Sequence, residues 1–534
     1  MLLRDTKWYF WIWALIFISA AALRAYVFFQ GPALWIDEGL TANKLIFLPL
    51  RLIIRPDGDS YELMQFYPVG FLALSKAVIR VLGVSETSLR LIPFLSGILS
   101  LIIFGRLAQR LFRPPWDLLA LVLFGFSYPL IHHSVELKPY SSDVLVAVIL
   151  FLIALTVIEK PRRFDILLLS LAGIVSLLVS FTSVFIIFPL LVLWIFQAFW
   201  QKNSSALIAR LFVFLVFLSS QIIYFQYSLR HFLEYPRLMK FWESGFININ
   251  NSLSSSLQLV WQNIQNLFPS IIWPVLMLIG IFSLRRRPDL MLICLIPMIA
   301  VLSAAGLHFY PIAPRTILFL MPFFVILTVS GCQSLFIQKF PVRLFIAVPV
   351  IGILLWTSFI KITPFASKFS FGEDIRPLVC FLNENRKEGE PIYVNDMAIS
   401  LFIFYHKLFK PGDSYLKKIR GLIGSDLRTH EGKKGIFLDF TPFAPGQSPG
   451  FISDSGDFYA PLENPDNIIR RGRNWFLMAH TKPCKKVLFD FLEKNGERLL
   501  VMKSDRDATL YLYDIQGAQN KFVNSQDNAP PATE

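Results

Sequence analysis

Two adjacent carboxylates, Asp37 and Glu38, stand in the stretch GPALWIDEGL, directly after the apolar run 8–29. An acidic pair among apolar and aromatic residues suits general-base chemistry, in which a carboxylate takes the proton of an attacking hydroxyl. The structural alternative is helix capping, because Asp and Glu also stabilise the first turn of a helix. The residues alone leave both roles open and do not separate Asp37 from Glu38.

A second set of ionisable residues follows. The stretch HHSVELKPYSSD supplies Glu136 and Lys138, and HFYPIAPR supplies Arg315. Lys and Arg can hold a phosphate as negative charge builds on it. With a carboxylate base, they suit transfer of a sugar from a phosphate carrier to a hydroxyl. The alternatives are a solvated salt bridge for the first two residues and snorkelling of Arg315 towards lipid headgroups.

Two patterns resemble metal sites. His132, His133 and Glu136 have a spacing that fits one helical face. Asp57-Gly58-Asp59 matches the DxD motif of nucleotide-sugar transferases, but Asp-Gly is a common turn signal and we interpret it as a turn. We therefore predict no metal and no other cofactor, although the histidine pattern leaves a divalent ion open.

The elements that position these residues are mostly membrane helices. Of 534 residues, 54% are hydrophobic and only 16% are charged, against about 25% charged in soluble proteins. A span needs about 20 mostly apolar residues, which predicts an α-helical polytopic membrane protein with about 11 transmembrane helices. The candidate runs are 8–29, 90–110, 116–133, 140–158, 165–181, 183–200, 208–229, 268–284, 289–307, 315–336 and 341–360.

The basic residues predict the topology. The net charge is +14, and the strongly basic short loops fall on one side if run 66–83 does not span. Because Lys and Arg concentrate in cytoplasmic loops, we attribute the charge to topology and predict no nucleic-acid partner. The N-terminus is then cytoplasmic, and 66–83, with Lys76 and Arg80, is an amphipathic interfacial helix. The predicted outer segments are 30–89, 134–139, 230–267, 308–314 and the region from 361.

The composition changes beyond residue 360. Strand-like runs (PIYVND, KGIFLDF, NWFLMAH, ATLYLYD) alternate with helix-like ones (IRPLVCFLNENRKEG, CKKVLFDFLEKNGERL). We predict a transmembrane module over 1–360, a small soluble extracytoplasmic α/β domain over 361–517 and a disordered tail over 518–534. Cys380 and Cys484 could pair if this domain faces an oxidising compartment.

The stretches LWIDEG, YPVGFLALSKAVIRVLGVSETSLRLIPFLSGILSLIIFGRLAQRLF and SVELKPYS resemble the GT-C glycosyltransferases. The closer relatives are bacterial polyprenyl-phosphate-sugar-dependent enzymes akin to protein O-mannosyltransferases and the aminoarabinose transferase of lipid A. The resemblance covers residues 8–200 best, is weaker to 360 and is architectural beyond.

The resemblance implies site residues. Catalytic roles fall on Asp37 and Glu38, with Asp37 as the base. The family's Glu-x-Arg/Lys-Pro-Tyr stretch corresponds to ELKPY here, and Arg315 corresponds to an outer-face arginine before a late helix. Relatives often carry His-Pro or Lys-Pro where this chain has Tyr67-Pro68, so that contact has changed. The implied donor-phosphate and substrate-binding residues are Glu136, Lys138, Tyr140, Arg315 and Tyr67.

We therefore expect an inverting glycosyltransferase in the inner (cytoplasmic) membrane. Its donor is a polyprenyl-phosphate-linked sugar, and its acceptor is an envelope glycan, a lipid or a protein at the outer face. The alternatives are a polytopic transporter or lipid flippase without transferase activity, and a non-catalytic scaffold. Transporters usually place ionisable residues near the bilayer midplane, whereas here they cluster towards one face.

Overall fold

Apolar helices make up most of the chain. The computed structural model describes residues 7–54, 67–159, 163–224, 226, 242–247, 253–268, 270–335, 342–360, 362, 374–387, 390–394, 396–406, 471–479, 489, 492–504 and 508–516. Within these ranges seven helices are long and apolar enough to cross a membrane, or eight if a pair bent by 105° forms one span. The chain is a multi-pass membrane protein, and the predicted count of about eleven spans is not confirmed.

Eighteen α-helices lie within the described residues. Their bounds are α1 (Lys7–Phe29), α2 (Ile36–Phe47), α3 (Leu50–Ile54), α4 (Val69–Leu82), α5 (Glu86–Leu111), α6 (Trp116–Gly125), α7 (Tyr128–His133), α8 (Tyr140–Glu159), α9 (Arg163–Val179), α10 (Val184–Trp200), α11 (Ser204–Tyr224), α12 (Leu253–Leu267), α13 (Ile272–Ser283), α14 (Pro288–Gly306), α15 (Met321–Leu335), α16 (Val342–Ile360), α17 (Arg376–Asn385) and α18 (Asp396–Tyr405). Strands β1 (Ile392–Val394), β2 (Gly472–Met478), β3 (Gly496–Lys503) and β4 (Thr509–Ile515) lie in the C-terminal region.

The chain divides into two compact units. The first, the membrane unit, is Met1–Gly31 with Phe66–Phe369, and the second is Pro32–Gln65 with Ser370–Glu534. The stretch that holds Asp37 and Glu38 therefore belongs to the same unit as the C-terminal region. The predicted domain boundaries place this stretch with the membrane helices instead. Those boundaries remain a prediction.

The core of the membrane unit contains a close crossing of α13 and α15. A Cβ atom on Gly331 would overlap the Leu276 carbonyl, and one on Gly280 would overlap the Leu327 carbonyl. Small residues let helix backbones touch in this way, which is how van der Waals packing holds membrane helices together. Residues 321–332 of α15 are buried throughout.

The apolar run 116–133 forms two helices rather than the predicted single span. Helix α6 ends at Gly125, and α7 begins at Tyr128 with Pro129 in its first turn. Proline has no N–H to donate and disfavours a helical residue before it, so the helix breaks here. The buried Arg24 of α1 donates to the Gly125 carbonyl at 2.6 Å.

Helix α4 corresponds to the predicted interfacial segment 66–83. Its 14 residues span about 21 Å at 1.5 Å per residue, which is short of the roughly 30 Å hydrocarbon core. It packs on the end of α9, where a Cβ atom on Gly70 would lie 2.6 Å from the Leu178 carbonyl. Lys76 is buried and Arg80 is exposed, and burial together with the charge of Arg80 lowers the pKa of Lys76.

The C-terminal region contains a four-stranded sheet of order β1-β2-β4-β3. Strands β1 and β2 run parallel, and the other two pairs are antiparallel. Its core is aromatic, with Tyr393 stacked on Phe476 at 4.9 Å between ring centroids. The predicted small α/β domain is confirmed, and three of its strands match predicted runs.

Strand β3 is a correction to the sequence prediction. The residues GERL were assigned to the end of a helix, but they begin a strand that is exposed or half-buried throughout, with an irregularity between Arg498 and Leu500. The predicted strand KGIFLDF and the tail 518–534 lie outside the described residues. Cys380 is exposed, and Cys484 lies outside the described ranges as well.

Candidate active site

The turn between α7 and α8 holds a buried hydrogen-bonded pair, His133 and Glu136. Glu136 is only 7% exposed, and its Oε2 lies 2.6 Å from Nδ1 of His133 in the preceding turn of chain. Burial alone would raise the pKa of the Glu136 carboxyl. The hydrogen bond from His133 and the charges of His133, His132 and Lys138 outweigh burial and lower that pKa to about 2. The carboxylate is therefore ionised at neutral pH.

His132 stays neutral beside this pair. Burial lowers its pKa to about 3, assisted by the charges of His133 and Arg90 and opposed by Glu136. Its ring lies against Tyr128 at 5.6 Å and edge-on to His133 at 4.8 Å between centroids. The imidazole thus acts as a packed neutral ring within a strongly charged turn.

The histidine cluster has the composition of a metal site. Ligand atoms of His132, His133 and Glu136 all lie within 4.8 Å of one another. However, the Glu136 carboxylate already pairs with His133, and the cations Arg90 and Lys138 act on the same group of side chains. Positive charge on both sides opposes a divalent ion, so the donor set fits an oriented carboxylate better than a metal centre.

Lys138 faces Tyr67, the position at which the sequence resemblance implied a changed contact. The Lys138 Nζ lies 5.2 Å from the centroid of the Tyr67 ring, and Lys138 is 3% exposed. A cation over an aromatic face is held by the ring quadrupole. The phenol ring of Tyr67 therefore positions the ammonium group, where a basic residue would repel it.

Tyr140 and Arg315 complete the cluster in the membrane unit. Lys138, Arg315, Glu136 and Tyr67 all lie close enough to act electrostatically on the Tyr140 phenol. These are the five residues that sequence analysis assigned to substrate binding, and the fold brings them together. The Arg315 guanidinium lies 4.9 Å above the Trp242 ring, a contact that sequence analysis did not anticipate.

Asp143, a buried carboxylate close to this cluster, was missed by sequence analysis. It lies one turn after Tyr140 on α8, is 7% exposed, and accepts hydrogen bonds from the side chains of Ser180 and Thr182. Its charge also acts on Tyr310, whose burial raises its pKa well above the ordinary value. The signal was available, because an acidic residue inside an apolar run is a functional candidate by default.

The acidic pair lies in the second unit, on the first turn of α2. Glu38 is fully buried, and its Oε2 accepts a hydrogen bond from the Trp35 backbone N–H at 3.0 Å. A carboxylate that reaches back three residues in this way caps the helix start. Asp37 is half-buried.

The structure thus distinguishes two residues that the sequence left equivalent. Glu38 has a structural task inside the fold, and Asp37 presents a partly accessible carboxylate at a helix N-terminus. The positive end of the helix dipole stabilises an anion there. Lys44, two turns further along the same helix, is buried, and burial lowers its pKa to about 8. The DxD match at 57–59 lies outside the described residues.

Comparison with known proteins identifies the fold. No protein-family model matches the sequence, and no curated protein matches it. The crystal structure of ArnT from Cupriavidus metallidurans in the apo state is 12% identical with a TM-score of 0.51, and the match covers 94% of this chain and 97% of that one. The chain has an ArnT-like GT-C fold.

Two further solved structures are similar at lower TM-scores. ArnT bound to undecaprenyl phosphate is 13% identical, with a TM-score of 0.48 and coverage of 94% of this chain and 98% of that chain. The Archaeoglobus fulgidus oligosaccharyltransferase in complex with Zn and sulfate is 16% identical, with a TM-score of 0.44 and coverage of 75% and 58%. The GT-C fold predicted from the sequence is confirmed by the apo ArnT match.

Proposed function

We propose that this chain is an inverting glycosyltransferase that moves a sugar from a polyprenyl-phosphate carrier to an acceptor hydroxyl. The observation that carries the proposal is the convergence of Lys138, Arg315 and Glu136 around Tyr140 in one polar cluster of the membrane unit. Two cations beside an ionised carboxylate suit a ligand that combines a phosphate with sugar hydroxyls. An ArnT-like fold supports a transferase over a transporter by analogy of architecture.

The proposed chemistry is a single displacement. The acceptor oxygen attacks the anomeric carbon from the face opposite the phosphate, the carbon–oxygen bond to phosphate breaks, and the configuration inverts. Asp37 takes the proton of the acceptor hydroxyl. Lys138 and Arg315 neutralise the charge that moves onto the departing carrier phosphate. Glu136 orients sugar hydroxyls or the neighbouring cations.

The proposed setting is the outer face of the cytoplasmic membrane. The N-terminus is then cytoplasmic, because the basic short loops follow the positive-inside rule. The acceptor is an envelope glycan, lipid or protein, and the C-terminal sheet domain contributes to its selection. Membrane lipids surround the helices, and α4 borders the entrance of the carrier lipid.

Transfer by the purified chain tests this proposal. The protein is reconstituted in liposomes and supplied with radiolabelled polyprenyl-phosphate sugars and a membrane extract, with empty liposomes as the control. The proposal predicts transfer from at least one donor and a product of inverted anomeric configuration, read by NMR. Movement of the intact donor across the bilayer without any transfer would favour a flippase and contradict the proposal.

A further inference from the structure

The helix that carries the acidic pair packs against a helix far away in the sequence. In the second unit, the Asn43 Nδ2 of α2 donates to the Ser400 carbonyl of α18 at 2.8 Å, across 357 residues. Both helices carry several buried residues. These are Thr41, Ala42, Asn43 and Leu45 on α2 and Ala398, Leu401 and Phe402 on α18.

Gly39 makes this contact tight. A Cβ atom at position 39 would lie 2.8 Å from Leu401 Cδ2, 3.0 Å from Ser400 Oγ and 3.3 Å from the Leu401 backbone nitrogen. A methyl group on Gly39 therefore requires the Leu401 and Ser400 side chains to shift, and the Leu401 backbone nitrogen at 3.3 Å pushes α2 slightly away from α18. Gly39 is two residues from Asp37, and any such movement carries the Asp37 carboxylate with it.

Two further hydrogen bonds hold the chain just before the pair. The Leu34 backbone N–H donates to the Tyr405 hydroxyl at 2.9 Å, and Ser400 Oγ donates to the Ile36 carbonyl at 3.2 Å. These two hydrogen bonds precede Asp37, and the contacts of Gly39 and Asn43 follow it, so α18 contacts the chain on both sides of Asp37. The acidic turn is therefore fixed by the C-terminal region and by the Glu38 cap.

We infer that α18 positions the Asp37 carboxylate, with Leu401, Ser400 and Tyr405 as positioning residues. The inference rests on the proposed function, in which Asp37 is the base. Displacement of a catalytic group by about 1 Å can cost roughly 100-fold in rate. Because α18 holds α2 closely, it sets the position of the Asp37 carboxylate and thereby the rate. The C-terminal region then acts on the chemical step as well as on the acceptor.

The test uses steady-state transfer by the full chain. We expect Gly39→Ala to lower kcat by about 10-fold or more while the donor KM changes by less than about 3-fold, because position and not binding is altered. Gly39→Ala/Leu401→Ala, which removes the closest clash, should recover most of the loss. Gly352→Ala is the matched control, since a Cβ atom on this helical glycine meets nothing within 4 Å.

Hydrogen–deuterium exchange provides a second readout that does not depend on turnover. Tyr405→Phe removes only the hydroxyl that binds Leu34, and it should speed exchange in the peptide 34–47 while strand β2 stays protected. Wild-type kcat in a folded Gly39→Ala variant, or unchanged exchange in Tyr405→Phe, would overturn the inference. Asp37→Asn separates the two claims. Loss of transfer there with full activity in Gly39→Ala refutes only the positioning role, whereas full activity in Asp37→Asn refutes the proposed base.

Discussion

The Lys138 ammonium lies 5.2 Å from the centroid of the Tyr67 ring. The two residues are far apart in the sequence. Tyr67 directly precedes Pro68, the residue that caps α4, and Lys138 lies in the turn before α8. An aromatic ring here attracts the cation without supplying charge of its own. The ring therefore helps to fix the position of the Lys138 ammonium.

Substitution of Tyr67 tests this contact. We expect Tyr67→Phe, which keeps the ring, to retain kcat/KM within about 3-fold, and Tyr67→Ala to lose about 3- to 30-fold, the scale of a desolvated cation–π contact. Steady-state transfer at several donor concentrations measures both. Equal losses in the two variants would show that the hydroxyl, and not the ring face, matters.

Removal of either cation should weaken stabilisation of the departing phosphate. We predict that Lys138→Met and Arg315→Gln each lower kcat/KM by roughly 10²- to 10³-fold, the cost of one lost electrostatic partner in a transition state. Arg286→Gln, at an exposed arginine, is the control and should leave transfer unchanged. Losses confined to KM at unchanged kcat would place these residues in carrier binding alone.

The buried turn around Glu136 predicts a pH dependence of stability. The pKa of His132 falls from 6.5 to about 3, and that of Glu136 falls from 4.5 to about 2. Both groups bind fewer protons in the folded than in the unfolded chain, so stability falls as the pH falls. The loss begins below about 6.5 for His132 and below about 4.5 for Glu136.

Thermal unfolding in detergent between pH 7 and pH 4 measures this effect. We expect the Tm to fall on the order of several °C, and Glu136→Gln should flatten the part of the curve below pH 4.5. A Tm that stays constant from pH 7 to pH 5 would contradict the lowered pKa of His132.

The crossing of α13 and α15 predicts where the bundle tolerates no side chain. Gly331→Ala places a methyl group onto the Leu276 carbonyl, and it should destabilise the fold by about 1–3 kcal/mol, as overpacking does. A lowered Tm and a lower yield of monodisperse protein would show this. Gly352→Ala provides the comparison, because that position is open. Equal Tm values in both variants would contradict the close crossing.

Hydropathy predicted helices well where an apolar run is uninterrupted. The run 8–29 forms α1 (Lys7–Phe29), and 90–110 forms most of α5 (Glu86–Leu111). The prediction of a single span over 116–133 was wrong because Pro129 breaks the helix, although the mean hydropathy of the run stays high. The prediction of a helix end at GERL was wrong because β3 carries exposed charged residues, and such residues are also common at helix ends.

The site was predictable only in its local parts. Glu136, Lys138 and Tyr140 are neighbours in one turn of chain, and Arg315 was a candidate as a basic residue in a predicted outer segment, whereas Tyr67 came from the family resemblance alone. These residues come together through helix packing between parts of the chain that are far apart in sequence. Such contacts cannot be predicted from a single sequence. Asp143 was overlooked because the apolar residues that follow it led to the prediction of a transmembrane helix over 140–158.

The difference between Asp37 and Glu38 also required the structure. Both are acidic and adjacent, and only the hydrogen bond from Trp35 N–H to Glu38 Oε2 shows which of them caps the helix. Glu38→Gln keeps an acceptor oxygen at that position and should preserve the cap. Asp37→Asn keeps the shape of the side chain and removes a base.

The transfer rates of Asp37→Asn and Glu38→Gln in a single-turnover assay test the central claim most directly. Both variants are compared with wild type at equal amounts of folded protein and saturating donor. We predict that Asp37→Asn loses about 100-fold or more, the scale of a lost general base, while Glu38→Gln stays within about 10-fold. A wild-type rate in Asp37→Asn would contradict the assignment of Asp37 as the catalytic base.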